Sequence, residues 1–168
     1  MWQEIWNTVR HEFSDLADTA QVTRITLRLL LAAILGGILG FEREQKGKSA
    51  GLRTHMLVAL GAALFVMIPQ QAGVSDADLT RVLQGLVAGV GFLGAGTIIK
   101  GSKEEEIHGL TTAAGIWLTA AIGMAAGMGR ETSAVLSTFL ALGILTLISR
   151  VSQRFQTPGQ PYTEERGK

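Results

Sequence analysis

Long stretches without a charged side chain are the feature of this 168-residue sequence that most restricts its fold. Asp, Glu, Lys and Arg make up 17% of the chain, yet they are absent from residues 56–75, 82–99, 109–129 and 132–149. About 20 apolar residues in a helix cross the ~30 Å hydrocarbon core of a bilayer, and such spans separate charges into blocks. The sequence therefore predicts an all-α integral membrane protein.

We predict five spans that form a glycine-rich helical bundle over residues 23–150. The spans cover residues 23–41, 54–68, 82–99, 110–128 and 133–149. The second is short for a full crossing, so it either extends to Ala72 or ends slightly below the opposite surface. Residues 1–22 are predicted to form a short amphipathic helix on the membrane surface, because their apolar residues recur at helical spacing between charges. These apolar residues are Trp2, Ile5, Trp6, Val9, Phe13 and Leu16. Residues 151–168, rich in polar residues, are predicted to be a flexible cytoplasmic tail.

The distribution of basic residues predicts the orientation. Ten of the 15 Lys and Arg residues lie in the 42–53 loop, the 100–108 loop and the tail, and five lie on the opposite side. Because basic residues accumulate on the cytoplasmic side, we expect the carboxyl end in the cytoplasm and the amino end outside. The first apolar run follows Arg24 and several acidic residues, a pattern unlike that of a cleavable signal peptide.

The third span contains Gly89, Gly91 and Gly94 at the G-x-G-x-x-G spacing of a dinucleotide-binding turn. That motif needs a strand before it and an amphipathic helix after it, whereas these glycines lie inside an apolar run. We interpret the glycines of the spans as helix-packing positions, where a missing side chain lets two helices approach closely and also favours self-association into a homo-oligomer. The predicted packing residues are Gly36, Gly40, Gly85, Gly89, Gly91, Gly94 and Gly96, with a further small-residue pair at Gly123 and Gly127.

Several function classes are excluded by composition. The net charge of +1 argues against a nucleic-acid partner, and the absence of cysteine removes disulfides and thiolate metal sites. His55 and His108 have no second ligand at metal-binding spacing, so we predict no metal site and no cofactor. Because no nucleophile, base and orienting group occur together, we expect a protein that is not an enzyme.

Polar residues at the ends of the spans form the candidate functional cluster, which comprises Glu42, Arg43, Arg53, Thr54, Gln84, Thr111 and Thr112. Three of these charges adjoin apolar runs, where they either pair in a buried site or extend to the interface. We predict that Glu42 pairs with Arg53 across the first hairpin and that the hydroxyls of Thr111 and Thr112 close the same site. The alternatives are that the two charges are solvated and that the threonines cap a helix. For Gln84 we expect a bridge between helices rather than contact with a ligand.

Four motifs follow one another in the order found in a known family. They are G-x-x-x-G-x-E-R-E at residues 36–44, A-G-L-R-T-H-x-L-V-x-L-G at 50–61, G-V-G-F-L-G-A-G at 89–96 and G-L-T-T-A-A-x-I-W at 109–117. Together they resemble the membrane domain of the MgtC/SapB family of bacterial inner-membrane proteins. The resemblance covers residues 23–150 and implies a five-span bundle in the bacterial inner membrane with its amino end outside.

The resemblance also implies a function. The best-described members of the family resemble non-enzymatic modulators of other membrane proteins, including the F-type ATP synthase and transporters. They are associated with magnesium limitation, acid stress and virulence. The alternative is a small transporter or channel for magnesium or another small ion. Unlike many members, this chain is expected to have no soluble carboxyl-terminal domain after the last span. It also departs from some magnesium-response members because Thr111 stands where they have Asn. Both differences weaken the transfer of a specific role.

Overall fold

The chain is built almost entirely of helices. A computed structural model describes residues 1–12, 18–100 and 107–148. The helices are α1 (Trp2–Glu12), α2 (Thr19–Gln45), α3 (Leu52–Gln71), α4 (Asp76–Gly96), α5 (Leu110–Gly127) and α6 (Glu131–Gly143), and a π-helical turn (Ile144–Ile148) continues α6. Between α4 and α5, a short antiparallel ladder pairs β1 (Ile99–Lys100) with β2 (Ile107–His108).

Four helices, α2 to α5, are long and apolar enough to cross a membrane, whereas the apolar helix over Glu131–Leu147 is shorter. The protein is therefore an all-helical membrane protein with four such helices among its described residues. The helix predicted near the amino terminus is α1, which has no buried residue and exposes Trp2 and Trp6. Phe13, Leu16 and the tail 151–168 lie outside the described residues.

Local capping explains why two helices are longer than the predicted spans. Ser75 accepts a hydrogen bond from the backbone N–H of Asp78, so α4 begins six residues before Val82. Asp18 caps α2 in the same way through the N–H of Ala20. Such caps satisfy backbone donors that the first turn of a helix leaves free. The helical hydrogen bonding of α2 and α4 therefore extends beyond their apolar runs.

Glycine and alanine bring α2, α3 and α5 into close contact. A Cβ atom added at Gly36 would lie 2.6 Å from the carbonyl oxygen of His55, and one added at Gly40 would lie 2.8 Å from Cα of Leu52. On α5, Gly123 and Gly127 lie directly against the backbone of α3. The core between these helices includes Ala32, Leu35, Leu39, Ala59, Ala63, Ile122 and Ala126. The structure thus places Gly36 and Gly40 at helix contacts.

The glycines of α4 behave differently. A Cβ atom added at Gly94 would lie 3.6 Å from Cβ of Ala113, but at Gly85, Gly89, Gly91 and Gly96 it would meet nothing within 4 Å. The prediction that these four glycines pack helices together is therefore wrong within one chain. The reason is that they are distributed around the helix, whereas α4 buries only Leu79, Val90 and Gly94. Packing of these glycines against a second chain stays a prediction.

Candidate functional site

A group of charges lies where α2 ends. The carboxylate of Glu42 pairs with the guanidinium of Arg43, and its Oε1 atom lies 2.7 Å from Nζ of Lys46. The side chain of Arg43 is 3% exposed and that of Glu42 is 12% exposed. A buried charge is tolerated only when it is paired, so Glu42 is the counter-charge that permits Arg43 to be buried.

Arg53 does not join this group. It is exposed and forms no ion pair with any residue in the described ranges, so the predicted Glu42–Arg53 pair is wrong. The side chain of His55 faces the core, and a residue two positions away on a helix projects about 200° around the axis. Arg53 therefore points away from α2. The carboxylate that crosses the hairpin is that of Glu44, which accepts a 2.8 Å hydrogen bond from the N–H of Leu52.

A second polar contact lies deeper in the bundle. Nδ1 of His55 on α3 and Oγ1 of Thr119 on α5 share a 2.7 Å hydrogen bond, and the two residues are 1% and 0% exposed. Nε2 of His55 is buried and has no hydrogen-bond partner among the described residues. Neither His55 nor Thr119 belongs to the candidate cluster predicted from the sequence. The signal was an ionisable residue inside an apolar run, which by itself marks a candidate functional position in a membrane span.

Two of the predicted site residues, Thr111 and Thr112, lie on the same helix as Thr119. Thr112 is buried on α5, whereas Thr111 is exposed and lines a cavity of about 170 Å³ together with His55, Leu39 and Gly115. The structure does not bring Thr54 or Gln84 to this place, because both are exposed, on α3 and on α4. The site at the α2–α3 hairpin thus contains Glu42 and Arg43, with His55 and Thr119 as additional members.

The charged group also holds the end of α6. Nζ of Lys46 donates a 2.9 Å hydrogen bond to the carbonyl oxygen of Leu145, which lies in the π-helical turn. A π-helical turn shifts backbone hydrogen bonds out of the α-helical pattern and often occurs at functional positions. Lys46 therefore connects the Glu42 carboxylate to the last described helical segment.

No polar route continues through the rest of the bundle in the described residues. Beyond Thr119, the buried residues of α5 are Ala120, Ile122, Gly123, Ala126 and Gly127. Thr138 on α6 is also buried, but its hydroxyl donates to the carbonyl oxygen of Ala134 in its own helix. The arrangement can hold charge and an imidazole near one end of the bundle. Of the described His, Cys, Asp and Glu residues, no three lie together in a group that could hold a metal ion.

Replacement of Thr119 by Val is expected to destabilise the protein by about 1–3 kcal/mol, because it leaves the buried Nδ1 of His55 without a partner. The measurement is the free energy of unfolding in detergent. Thr138→Val is the matched control, since that hydroxyl bonds only to a carbonyl of its own helix. Equal losses of unfolding free energy in the two variants would show that the His55–Thr119 hydrogen bond stabilises the protein no more than a hydrogen bond within one helix.

Comparison with known proteins identifies similar sequences. The profile of the MgtC family matches residues 29–154. SrpB of Synechococcus elongatus is 43% identical over 140 residues, which cover 77% of each chain. The Escherichia coli K12 protein named "Putative magnesium transporter YhiD" is 43% identical over 76% of this chain and 62% of its own length. MgtC of Brucella abortus is 41% identical over 89% of this chain and 56% of its own length. No solved structure matches.

Proposed function

Since the chain belongs to the MgtC family, we propose that it is a non-enzymatic protein of the bacterial inner membrane that modulates other membrane proteins. The name of one relative, "Putative magnesium transporter YhiD", supports a link to magnesium. The resemblance to the MgtC/SapB family extends this role to magnesium limitation, acid stress and virulence. The partners would be membrane proteins such as the F-type ATP synthase or a transporter. The chain spans 62% of the length of YhiD and 56% of that of Brucella MgtC. The functions of those longer proteins therefore support the proposal without being assigned to this chain.

The outward face of α4 is the observation that carries this proposal. Thr80, Gln84, Ala88, Gly91 and Ala95 follow one another at helical spacing, and all are exposed. Small residues let another helix approach closely in a membrane, and the amide of Gln84 has no hydrogen-bond partner among the described residues. Lipid tails offer no such partner. A transmembrane helix of another protein would satisfy the amide and cover the small residues.

The second candidate function is transport of magnesium or another small ion. It is favoured by the buried His55–Thr119 contact and by the transporter name that YhiD carries. Ion-coupled sites, however, contain several polar or charged groups near the middle of the membrane. Contact of Gly123 and Gly127 with the α3 backbone fills the space where such a path would continue. We therefore favour the modulator.

The test combines growth and flux. We expect Gly91→Leu to accumulate and fold normally, because a Cβ there meets nothing within 4 Å, but to lose growth under magnesium limitation. Gly143→Leu, the same change at an open position on α6, is the matched control and should grow normally. Purified protein in liposomes should pass magnesium and protons no faster than empty liposomes. Specific flux, or normal growth of Gly91→Leu, would refute the modulator.

The proposed arrangement in the membrane has five spans over residues 23–150, with α6 and its π-helical turn as the fifth, and with the amino end outside. The distribution of basic residues supports this orientation. A reporter that works only in the cytoplasm is expected to be active when it is fused after Lys168, and a reporter that works only in the periplasm is expected to be inactive there. Activity of the periplasmic reporter instead would contradict the orientation.

Self-association is also proposed. The amide of Gln84 both donates and accepts hydrogen bonds, so two copies of the α4 face can satisfy each other around a two-fold axis. Cross-linking of a cysteine placed at Ala88 in native membranes would detect this contact. Absence of this cross-link would indicate that the α4 face contacts a different protein rather than a second copy of the chain.

A further inference from the structure

A polar cavity lies at the opposite end of the bundle, where α2 begins and α3 ends. Its volume is about 300 Å³, and its polar lining consists of Asp18, Gln21, Arg24, Arg28, Gln70 and Gln71. These residues belong to neither the Glu42 group nor the outward face of α4. The cavity therefore requires an explanation other than the proposed modulator function.

The lining of this cavity carries two guanidinium groups and one carboxylate. A second carboxylate, that of Glu131, forms an ion pair with Arg28 at 3.9 Å. Arg24 and Arg28 lie one helical turn apart on α2, a spacing at which like charges repel. Arg24 has no hydrogen-bond or ion-pair partner among the described residues. The single carboxylate of the lining, that of Asp18, already accepts a 2.9 Å hydrogen bond from the N–H of Ala20 as the cap of α2. An anion between the two guanidinium groups would remove the repulsion.

Arg28 is held in place as a hydrogen-bond donor. Its Nη1 atom donates to the carbonyl oxygen of Gly127 at 3.1 Å. Its Nε atom lies 3.9 Å from Oε1 of Glu131, too far for a hydrogen bond, and is buried without a partner among the described residues. Gly129, with φ of +73°, leaves the space that the guanidinium occupies. The turn between α5 and α6 thus fixes one side of the cavity.

We propose that this cavity binds a phosphate group. Guanidinium groups match the geometry of phosphate oxygens, and the amides of Gln21, Gln70 and Gln71 supply further donors. The amino terminus of α2 adds a partial positive charge beside them. A volume of about 300 Å³ accepts a phosphate with an attached glycerol group, since water occupies about 30 Å³. Because α2 and α3 are each long and apolar enough to cross a membrane, we expect their ends at the depth of phospholipid headgroups. The phosphate then belongs either to a lipid or to a soluble anion.

The experiment uses the full chain purified in detergent. Native mass spectrometry measures the retention of phosphatidylglycerol against diacylglycerol with the same acyl chains, and thermal unfolding measures protection by inorganic phosphate. Arg24→Gln is the test variant, because Arg24 is exposed and has no structural partner among the described residues. Arg81→Gln is the control, since Arg81 is an exposed arginine on α4 outside the cavity.

We expect the wild-type protein to retain one phosphatidylglycerol in preference to diacylglycerol, and Arg24→Gln to weaken that retention about tenfold. Arg81→Gln should behave as wild type. Protection by inorganic phosphate without lipid preference would keep the phosphate site and assign it to a soluble anion. Equal retention of both lipids with no effect of phosphate would overturn the proposal, as would identical behaviour of the two variants. The outcome of this lipid and phosphate experiment is independent of the growth test of Gly91→Leu on α4.

Discussion

Gly123→Ala is expected to prevent accumulation of the folded protein. The added Cβ atom would overlap the carbonyl oxygen of Ala59 and would lie 2.8 Å from the Cα and carbonyl carbon of that residue. All three atoms belong to the α3 backbone, which cannot move aside as the end of a flexible side chain can. Ordinary overpacking costs about 1–3 kcal/mol, and we expect a contact with backbone to cost at least the upper value. Separation of α3 from α5 would also break the His55–Thr119 hydrogen bond.

The matched control is Gly91→Ala on α4, where the added atom meets nothing within 4 Å. Because alanine is favoured over glycine in a helix interior by about 1 kcal/mol, this variant should keep or gain stability. The measurements are the amount of protein in membranes and the thermal unfolding midpoint in detergent. If the two alanine variants unfold at the same temperature, the close α3–α5 contact is not what limits stability.

Glu42→Gln is expected to have the second largest effect. The change leaves the guanidinium of Arg43, which is 3% exposed, without its carboxylate. Removal of one partner from a buried ion pair typically costs about 3–5 kcal/mol, because the other charge remains in a poorly solvating environment. The free energy of unfolding should therefore fall by an amount in this range. Arg53→Gln is the control and should stay within about 0.5 kcal/mol of wild type, because Arg53 is exposed.

A double-mutant cycle separates pairing from independent effects. Glu42→Gln, Arg43→Met and the double variant are measured under one condition. We expect the double variant to lose less stability than the sum of the single variants, since the apolar methionine removes the charge that Glu42→Gln would leave unpaired. Additive losses would show that Glu42 and Arg43 contribute independently, and a large loss in Arg53→Gln would restore the pair predicted from sequence.

The sequence alone was sufficient to predict the four long apolar helices, α2 to α5. Residues 56–75 and 109–129 are free of charge, and α3 and α5 cover most of them. A helix that crosses a membrane requires a continuous stretch of about 20 apolar residues, and such a stretch is visible in the sequence. The helix ends were less predictable, because a cap such as Ser75 extends α4 through polar residues that no apolar pattern includes.

The contacts between helices were decided only by the tertiary structure. His55 and Thr119 are 64 residues apart, and nothing in their local sequence relates them. Gly91 and Gly123 both occur in apolar helices, yet only Gly123 lies against another helix of the chain. Glu42 pairs with Arg43 and Lys46, while Arg53 points outward. Such contacts depend on the rotation of each helix about its axis, and that rotation follows from the packing of the whole bundle.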